Sequence, residues 1–481
     1  MGGEEPFERA HAVEEIQRLA RLARHVQWTN PRGSVVELTI PPTVYPPRED
    51  TTLLASVLTG KRLSSGTQWL EIGCGSGALS LFAAELGCTV TACDVNPMAV
   101  ACTRKHLEAA GVQADVLEGG PGPGEDGGLS QWGGDRLYDV VVWNTPYLAS
   151  SSLAGGSLGP MEEAAFTDTD SKGLHVRFLD LLSEGRLLKE QGIAYITVSS
   201  SGFAEQTPAE AWRRGLAART VAHTRFDDGE VLSVLALWRP YTGSPIHSVD
   251  TTESTNDDVL AFSSKPGASV RAEQQTKGRG RHGRRWLNQE GAMLASWLVE
   301  DGRSWVHSTM DQLRVGEALV RLLKGWSACG ENEVCLKWPN DVYIRAANGG
   351  MAKAGGVLFE AVSQGRKHRL VLGIGVNSRP SSSGEFSGLA DLGLEVDAVA
   401  LHSAVHAMVA SLFESLIGLT PSRIDSVRIE ASVKHGLSAL GVPLYRGEEL
   451  VIDGLDEAGA LIVKGSERTI DDPELLTWSI L

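Results

Sequence analysis

Residues 69–80 read WLEIGCGSGALS. Trp69-Leu70-Glu71-Ile72 has the apolar weight of a short buried strand. Gly73, Gly75 and Gly77 follow at alternate positions, and Ala78–Leu86 then carries helical spacing. Strand, glycine turn and helix in succession open a βα unit in which backbone can pass close to a bound cofactor. The rhythm continues with a strand at Thr89–Cys93, a helix at Pro97–Ala110, and strands at Tyr138–Trp143 and Ile193–Ser199. Alternation of this kind up to about Pro240 predicts a doubly wound, Rossmann-like α/β sheet with helices on both faces. Gly119–Gly134, rich in glycine, reads as a loose surface insertion. Upstream, Val13, Ile16, Leu19, Ala23 and Val26 recur at helical spacing, so 7–26 is expected to be one amphipathic helix.

The chain has 481 residues, room for about three folded units at ~150 residues each. A 42% hydrophobic, 22% charged composition excludes a largely disordered chain. No apolar run approaches the ~20 residues that span a bilayer. Net charge is 44 − 60 = −16, with 20 basic against 30 acidic residues in 1–243 and 24 against 30 in 244–481. Neither half has the basic excess of a non-specific nucleic-acid binder. None of the six cysteines forms a CxxC pair, which argues against a zinc ribbon or redox motif and fits a reduced, cytoplasmic setting.

The glycine loop and Asp94, which ends the next strand, suit a nucleoside with two ribose hydroxyls. EIGCGSG rather than GxGxxG favours S-adenosylmethionine over NAD; a tight βα turn with an incidental Asp is the structural alternative. Asn144-Thr145-Pro146-Tyr147 follows the Val140–Trp143 strand. A planar amide or exocyclic amine is a poor nucleophile and must be held in line with the sulfonium methyl. An Asn oxygen and a backbone carbonyl beside a rigid Pro supply two acceptors, while an aromatic ring stacks on the flat group.

VYPPREDTTLL (44–54), EIGCGSGALS (71–80), CDVNPMAVACT (93–103), NTPYL (144–148) and LSVLALW (232–238) resemble the glutamine-N5 methyltransferases of translation release factors, most closely their archaeal/eukaryotic branch. The resemblance covers about 35–240. It implies a class-1 release factor as substrate, at its GGQ glutamine, and a small zinc-bearing activator subunit as partner. Carried over by position, Glu71, Gly73, Gly75, Gly77, Asp94, Glu118 and Asn144 bind S-adenosylmethionine, while Asn144, Pro146 and Tyr147 clamp the substrate amide. Thr145 departs from the family's NPPY, replacing a residue of fixed φ by one with an N–H donor. Two alternatives stay open: a SAM-binding or docking domain without catalysis, and a nucleic-acid adenine-N6 methyltransferase.

Beyond a turn-rich break at Tyr241–Pro245, Gln274-Gln275-Thr276-Lys277-Gly278-Arg279-Gly280-Arg281-His282-Gly283-Arg284-Arg285-Trp286 puts dense positive charge on a glycine-rich loop. A nuclear-localisation or RNA-binding patch is the competing reading. Here, however, the loop lies between two expected strands and ends on a Trp. Several guanidinium forks on flexible backbone can neutralise a phosphate chain. ESTN (253–256), the GRGRHGRRW loop, KWPND (337–341), KAGG (353–356) and GIGVN (373–377) come in order, and 247–481 resembles the biotin–protein ligases.

The resemblance implies attack of biotin carboxylate on the α-phosphate of ATP, giving biotinyl-5′-AMP, then transfer to a lysine of a biotin carboxyl carrier protein. It places Ser254, Thr255, Asn256, Gln274, Gly278, Arg279, Arg281 and Lys353 on biotin. Arg281, Arg284, Trp286, Lys337, Asn340, Asp341 and Asn377 fall on ATP with Mg²⁺, and Lys353, Arg281, Arg279 and Lys337 carry the catalysis. The expected architecture is an N-terminal helix (1–34), a SAM methyltransferase-like domain (35–243), an α+β ligase catalytic domain (244–435) and a small SH3-like β-barrel (436–481).

Overall fold

The structure is a computed structural model that describes residues 22–61, 63–121, 128–146, 148–149, 167–168, 173–202, 204–287, 289–302, 308–326, 330, 332–364, 367–422, 424–466 and 468–479. It separates into two compact units. The first comprises Met1–Ala211, Ala218–Arg239 and Leu416–Thr420; the second comprises Trp212–Ala217, Pro240–Ser415 and Pro421–Leu481.

In the first unit, β1 (Arg24–Thr29) and β2 (Val35–Ile40) form an antiparallel hairpin. This corrects the expected helix at its end: Val26 lies in β1, and 7–21 are outside the described residues. RHVQWT also has a two-residue period, which points Trp28 to the buried side, and Asn30 builds the turn. The Asn30 side-chain oxygen accepts from the amides of Arg32 (2.9 Å) and Ser34 (3.2 Å). Two overlapping periodicities were present, and the turn chemistry decided between them.

The main sheet of this unit contains β3 (Gln68–Ile72), β4 (Thr89–Asp94), β5 (Asp115–Glu118), β6 (Tyr138–Trp143), β9 (Leu188–Ser199), β10 (Ala217–Arg225) and β11 (Val231–Trp238), while β7 (Leu148–Ala149) and β8 (Thr167–Asp168) pair separately. Its order is β10-β11-β9-β6-β3-β4-β5. The β3, β4, β5, β6 and β9 neighbours are parallel, and β11 is antiparallel to β9. The chain runs outward from β3 through β4 to β5, then returns to β6 on the other side. The carboxyl ends of β3 and β6 therefore flank the topological switch point, where doubly wound sheets place their ligands. Buried Trp69, Phe82, Tyr138, Phe178 and Tyr195 fill the core. In the Gly119–Gly134 segment, where 122–127 lie outside the described residues, Trp132, in the short helix Leu129–Trp132, is buried against Gly119.

The second unit holds a seven-stranded sheet of β12 (Ile246–Thr252), β13 (Ser269–Gln275), β14 (Met293–Asp301), β15 (Val334–Lys337), β16 (Asp341–Arg345), β17 (Met351–Gln364) and β18 (Lys367–Val376). Its order is β12-β13-β14-β18-β17-β16-β15. Only β12 and β13 run parallel; the other neighbours are antiparallel. Helices Thr309–Trp326 and Ala398–Phe413 pack on each other and on the sheet. Inside lie His402 and His406, against Trp297. The Trp297 indole N–H donates to His406 Nδ1 at 2.9 Å, and the His402 ring stacks on the indole at 5.2 Å.

At the C-terminus, β19 (Val442–Tyr445), β20 (Glu448–Glu449) and β24 (Leu476–Ser479) form one three-stranded sheet. A second is formed by β21 (Ile452–Leu455), β22 (Leu461–Val463) and β23 (Thr469–Ile470). Among the described residues no ladder joins the two, so closure into a barrel is not seen. No helix of the described residues is long and apolar enough to cross a membrane.

Candidate functional site

Each unit carries its own constellation at the ends of its sheet strands. In the first, Gly73, Gly75 and Gly77 all have positive φ (68°, 50° and 79°). A Cβ on Gly77 would also meet Thr103 at 3.0 Å, so both backbone and space require glycine there. Asp94 faces this loop, and its two carboxylate oxygens accept from the amides of Gly75 and Asn96, each at 2.9 Å. The carboxylate is thereby fixed with lone pairs left over to accept further hydrogen bonds. Burial raises its pKa, against the lowering effect of those two amide bonds. Glu118 is exposed at the end of β5, directly across the ladder from Asp94.

Glu71 is different. It is 3% exposed, accepts from the Ser80 hydroxyl at 2.5 Å, and burial pushes its pKa to about 8. Its carboxyl is satisfied inside the protein and holds the strand to the following helix, which assigns it a structural part beside the expected cofactor contact.

The Asn144 side-chain oxygen accepts from the Thr197 hydroxyl at 2.7 Å at the end of β6, and Pro146 follows. Tyr147 lies outside the described residues. Gly73 and Trp143 are close enough that a Cβ on the glycine would sit 3.5 Å from the indole nitrogen. The glycine loop and the NTPY strand end are therefore neighbours.

In the second unit a cleft of about 650 Å³ is lined by Ser254, Thr255, Asn256, Arg279, Arg281, Arg284, Trp286, Lys337, Asn340, Asp341, Lys353 and Asn377. Five stretches far apart in sequence meet there. The arginine loop is an ordered hairpin: the Trp286 amide donates to the Gly278 carbonyl (2.9 Å) and the Gly280 amide to that of Arg284 (2.7 Å). His282 sits at φ 54°, so the tip is left-handed.

The glycines of the last two motifs form a seat for the Trp286 ring. A Cβ on Gly375 would come within 2.5 Å of it and one on Gly356 within 3.1 Å. Gly373 makes room for Asn256, whose side-chain oxygen would be 2.7 Å from a Cβ there.

Two buried donor atoms in the cleft, Arg281 Nη1 and Trp286 Nε1, have no partner among the described residues. Arg281 is half-buried, and a buried donor atom left without a partner is costly; burial also lowers its pKa. Such a group fits an anionic ligand. Lys353 pairs with Asp341 at 2.7 Å and lies 5.3 Å from the centre of the Trp286 ring. The Lys337 ammonium donates to the Tyr343 hydroxyl at 3.0 Å, and burial lowers its pKa. Asn340 donates to the Val357 carbonyl at 2.7 Å and Asn377 to that of Ser387 at 3.2 Å.

The structure places three of the expected site residues differently from the others. Gln274 is exposed and lines a different cavity, with Ser248 and Arg271. Gln275 lines the cleft instead and accepts from the Thr255 amide at 2.8 Å. Successive strand residues face opposite ways, so only one glutamine can reach Thr255. The spacing Gln275-x-x-Gly278 was the signal. Gly278 itself closes the hairpin and does not line the cleft. Arg279 is held by Asp257 (2.7 and 2.9 Å) and Glu360 (2.9 and 2.8 Å), so its charge is already matched by two carboxylates. Tyr343, Glu360 and the C-terminal residues Glu474 and Trp478 carry no motif, yet Tyr343, Glu474 and Trp478 also line the cleft. Among the described residues no group of three or more His, Cys, Asp or Glu could hold a metal ion.

The model of the biotin/lipoate A/B protein ligase family matches 246–377, and a methyltransferase domain model matches 70–124. A methyltransferase-like domain is fused to a biotin–protein-ligase-like domain. The bifunctional ligase/repressor BirA of Escherichia coli is 30% identical over 141 residues, which cover 28% of this chain and 41% of that protein. The biotin–[acetyl-CoA-carboxylase] ligase of Paracoccus denitrificans is 28% identical over 233 residues, 44% of this chain and 92% of that one. Among solved structures, the biotin protein ligase of Aquifex aeolicus in complex with biotin and ATP is 25% identical. That alignment covers 49% of this chain and 99% of the other, with a TM-score of 0.38. The chain spans about half the length, or less, of the three BirA relatives it matches.

Proposed function

We propose that the second unit attaches biotin to a lysine of a biotin carboxyl carrier protein in two steps. A biotin carboxylate oxygen bonds to the α-phosphorus of ATP as pyrophosphate leaves; the lysine amine then attacks the acyl carbon, AMP leaves, and the amine proton passes to solvent. The observation that carries this reading is the cleft with a buried Arg281 donor atom unpartnered among the described residues, beside a tryptophan seated on sheet glycines. Arg281 and Lys337 supply positive potential where charge develops on phosphate oxygens. Lys353, set by Asp341, bridges carboxylate and α-phosphate, and Trp286 offers its face to adenine. Thr255, Asn256 and Gln275 form the polar end that reads the biotin ring; Arg284 and the asparagines border the nucleotide. Incubating the protein with biotin, ATP and a carrier domain, and following the carrier by mass, tests it: an unmodified carrier refutes the reading.

The first unit is read as an S-adenosylmethionine-dependent methyltransferase acting on the GGQ glutamine of a class-1 release factor, with a zinc-bearing activator as partner. When bound, the cofactor supplies an electrophilic methyl group. Asp94 and Glu118 orient its ribose and adenine end, and Asn144 and the carbonyl beside Pro146 accept from the substrate amide. Label transfer from S-adenosylmethionine to a GGQ-containing release-factor domain tests this; tight cofactor binding with no transfer favours a docking domain. The domain boundaries are read as 35–243, 244–435 and 436–481, the last as an SH3-like barrel supported by its two small sheets.

A further inference from the structure

We propose that Thr145 and Thr197 form a latch that sets the acceptor geometry of Asn144, making Thr197 a positioning residue for methyl transfer; the inference rests on the methyltransferase reading of this unit. The parallel ladder between β6 and β9 runs as far as Trp143 opposite Ile196. One step further, side chains take over. The Thr145 amide donates to Thr197 Oγ1 at 3.0 Å, the Thr145 hydroxyl donates to the Thr197 carbonyl at 2.5 Å, and the Thr197 hydroxyl donates to Asn144 Oδ1 at 2.7 Å. A hydroxyl has one proton to give and lone pairs to receive, so these three bonds fix each other's direction. Asn144 Oδ1 is left with one lone pair, held at a set angle, for an incoming N–H.

The latch accounts for threonine where a rigid proline would otherwise stand. Proline would bring neither an N–H nor a hydroxyl. The carbonyl of Thr197, a residue with no solvent exposure, would lose its donor, and its hydroxyl would lose the amide it accepts from. Hydrogen bonds across two strands do here what a ring does elsewhere. In the reaction the amide nitrogen forms the new N–C bond, the S–C bond breaks with its electron pair staying on sulfur, and the amide proton leaves to water. Alignment of the amide is the main contribution the protein makes, so a small rotation of Asn144 falls on kcat.

The test uses the full chain, S-adenosylmethionine and a GGQ-containing release-factor domain. Thr197→Val, close in shape, is expected to lower kcat ~10–100-fold while KM and cofactor Kd stay within about threefold. Thr197→Ser restores the hydroxyl and is expected within about threefold of the parent. A second readout is independent of turnover: amide exchange at Thr145 speeds up ~10-fold in Thr197→Val and not in Thr197→Ser. Thr145→Pro is expected to lower kcat rather than raise it. A parent chain that transfers methyl and is matched by Thr197→Val, or surpassed by Thr145→Pro, overturns the latch and leaves the reading intact. A parent chain that binds cofactor yet methylates no GGQ glutamine overturns the reading and the latch together. Should Thr197→Val not fold, Thr145→Val, which loses the hydroxyl and keeps the amide, carries the same comparison; an unchanged kcat there overturns the latch.

Discussion

Gly375→Ala isolates the seat of Trp286. The added Cβ would stand 2.5 Å from one ring carbon of the indole and 2.7 Å from the next, about 1 Å short of the ~3.5–4.0 Å optimum between carbons. Gly375 pairs with Leu294 on one side and Gly356 on the other, so the backbone cannot retreat. The ring must give way by about that 1 Å, and it can, because Trp286 is only half-buried. The stability cost is therefore expected at the low end of the ~1–3 kcal/mol usual for overpacking. The functional cost is larger: a displacement near 1 Å costs ~10²-fold when it misaligns reacting groups, and Lys353 sits over the same ring. Biotin-dependent ATP–pyrophosphate exchange is the assay, with a thermal melt as control. Because the glycine is argued to act through the ring, Gly375→Ala with Trp286→Ala should lose no more than Trp286→Ala alone. Full exchange by Gly375→Ala, or additive losses in the double variant, refutes the seat.

Lys353→Ala should lose ~10²–10³-fold in adenylate formation, read by the same exchange assay, while the far-ultraviolet circular dichroism stays that of the parent. Gln275→Leu removes the acceptor for the Thr255 amide and should raise the KM for biotin ~10-fold or more, whereas Gln274→Leu leaves it unchanged; steady-state kinetics distinguishes them. Burial holds His406 down to about 4 and His402 to about 3. The unfolded chain, with histidines at about 6.5, then binds the extra protons in acid. Their contribution is complete above about pH 6.5 and is lost as pH falls, by about 1.4 kcal/mol per pH unit for each histidine. Urea unfolding of the full chain between pH 7 and 4.5, followed by circular dichroism, should show this, and His402→Gln should lower the slope by about half.

The parts of both sites legible in the sequence are those where backbone or charge leaves a narrow choice of residue. Gly73, Gly75 and Gly77 stand at positive φ, and Gly373 and Gly375 under Asn256 and Trp286, where any side chain collides. Arg281 and Lys353 carry charge that a cleft must use. The strand–turn–helix alternation of the first unit was legible for a similar reason, since a buried parallel sheet enforces apolar runs between glycine turns. Lost to view were partners with freedom of type and position. Tyr343, Glu360 and Trp478 approach through tertiary packing from strands or a tail without spacing constraints. Arg279 reads like Arg281 until Asp257 and Glu360, 22 residues before it and 81 after, are folded against it.

Position 145 shows why a departure from a motif needs its neighbours before it is read as damage. Alone, threonine in place of a ring-constrained residue loosens a turn, and reduced activity follows. Beside Thr197 the same substitution brings two donors to a buried carbonyl and hydroxyl 52 residues away, and the strand end is held from the side instead of from within. The two arrangements are alternatives and do not add: proline beside Thr197 leaves buried acceptors unmet, and threonine without it leaves a buried N–H unmet.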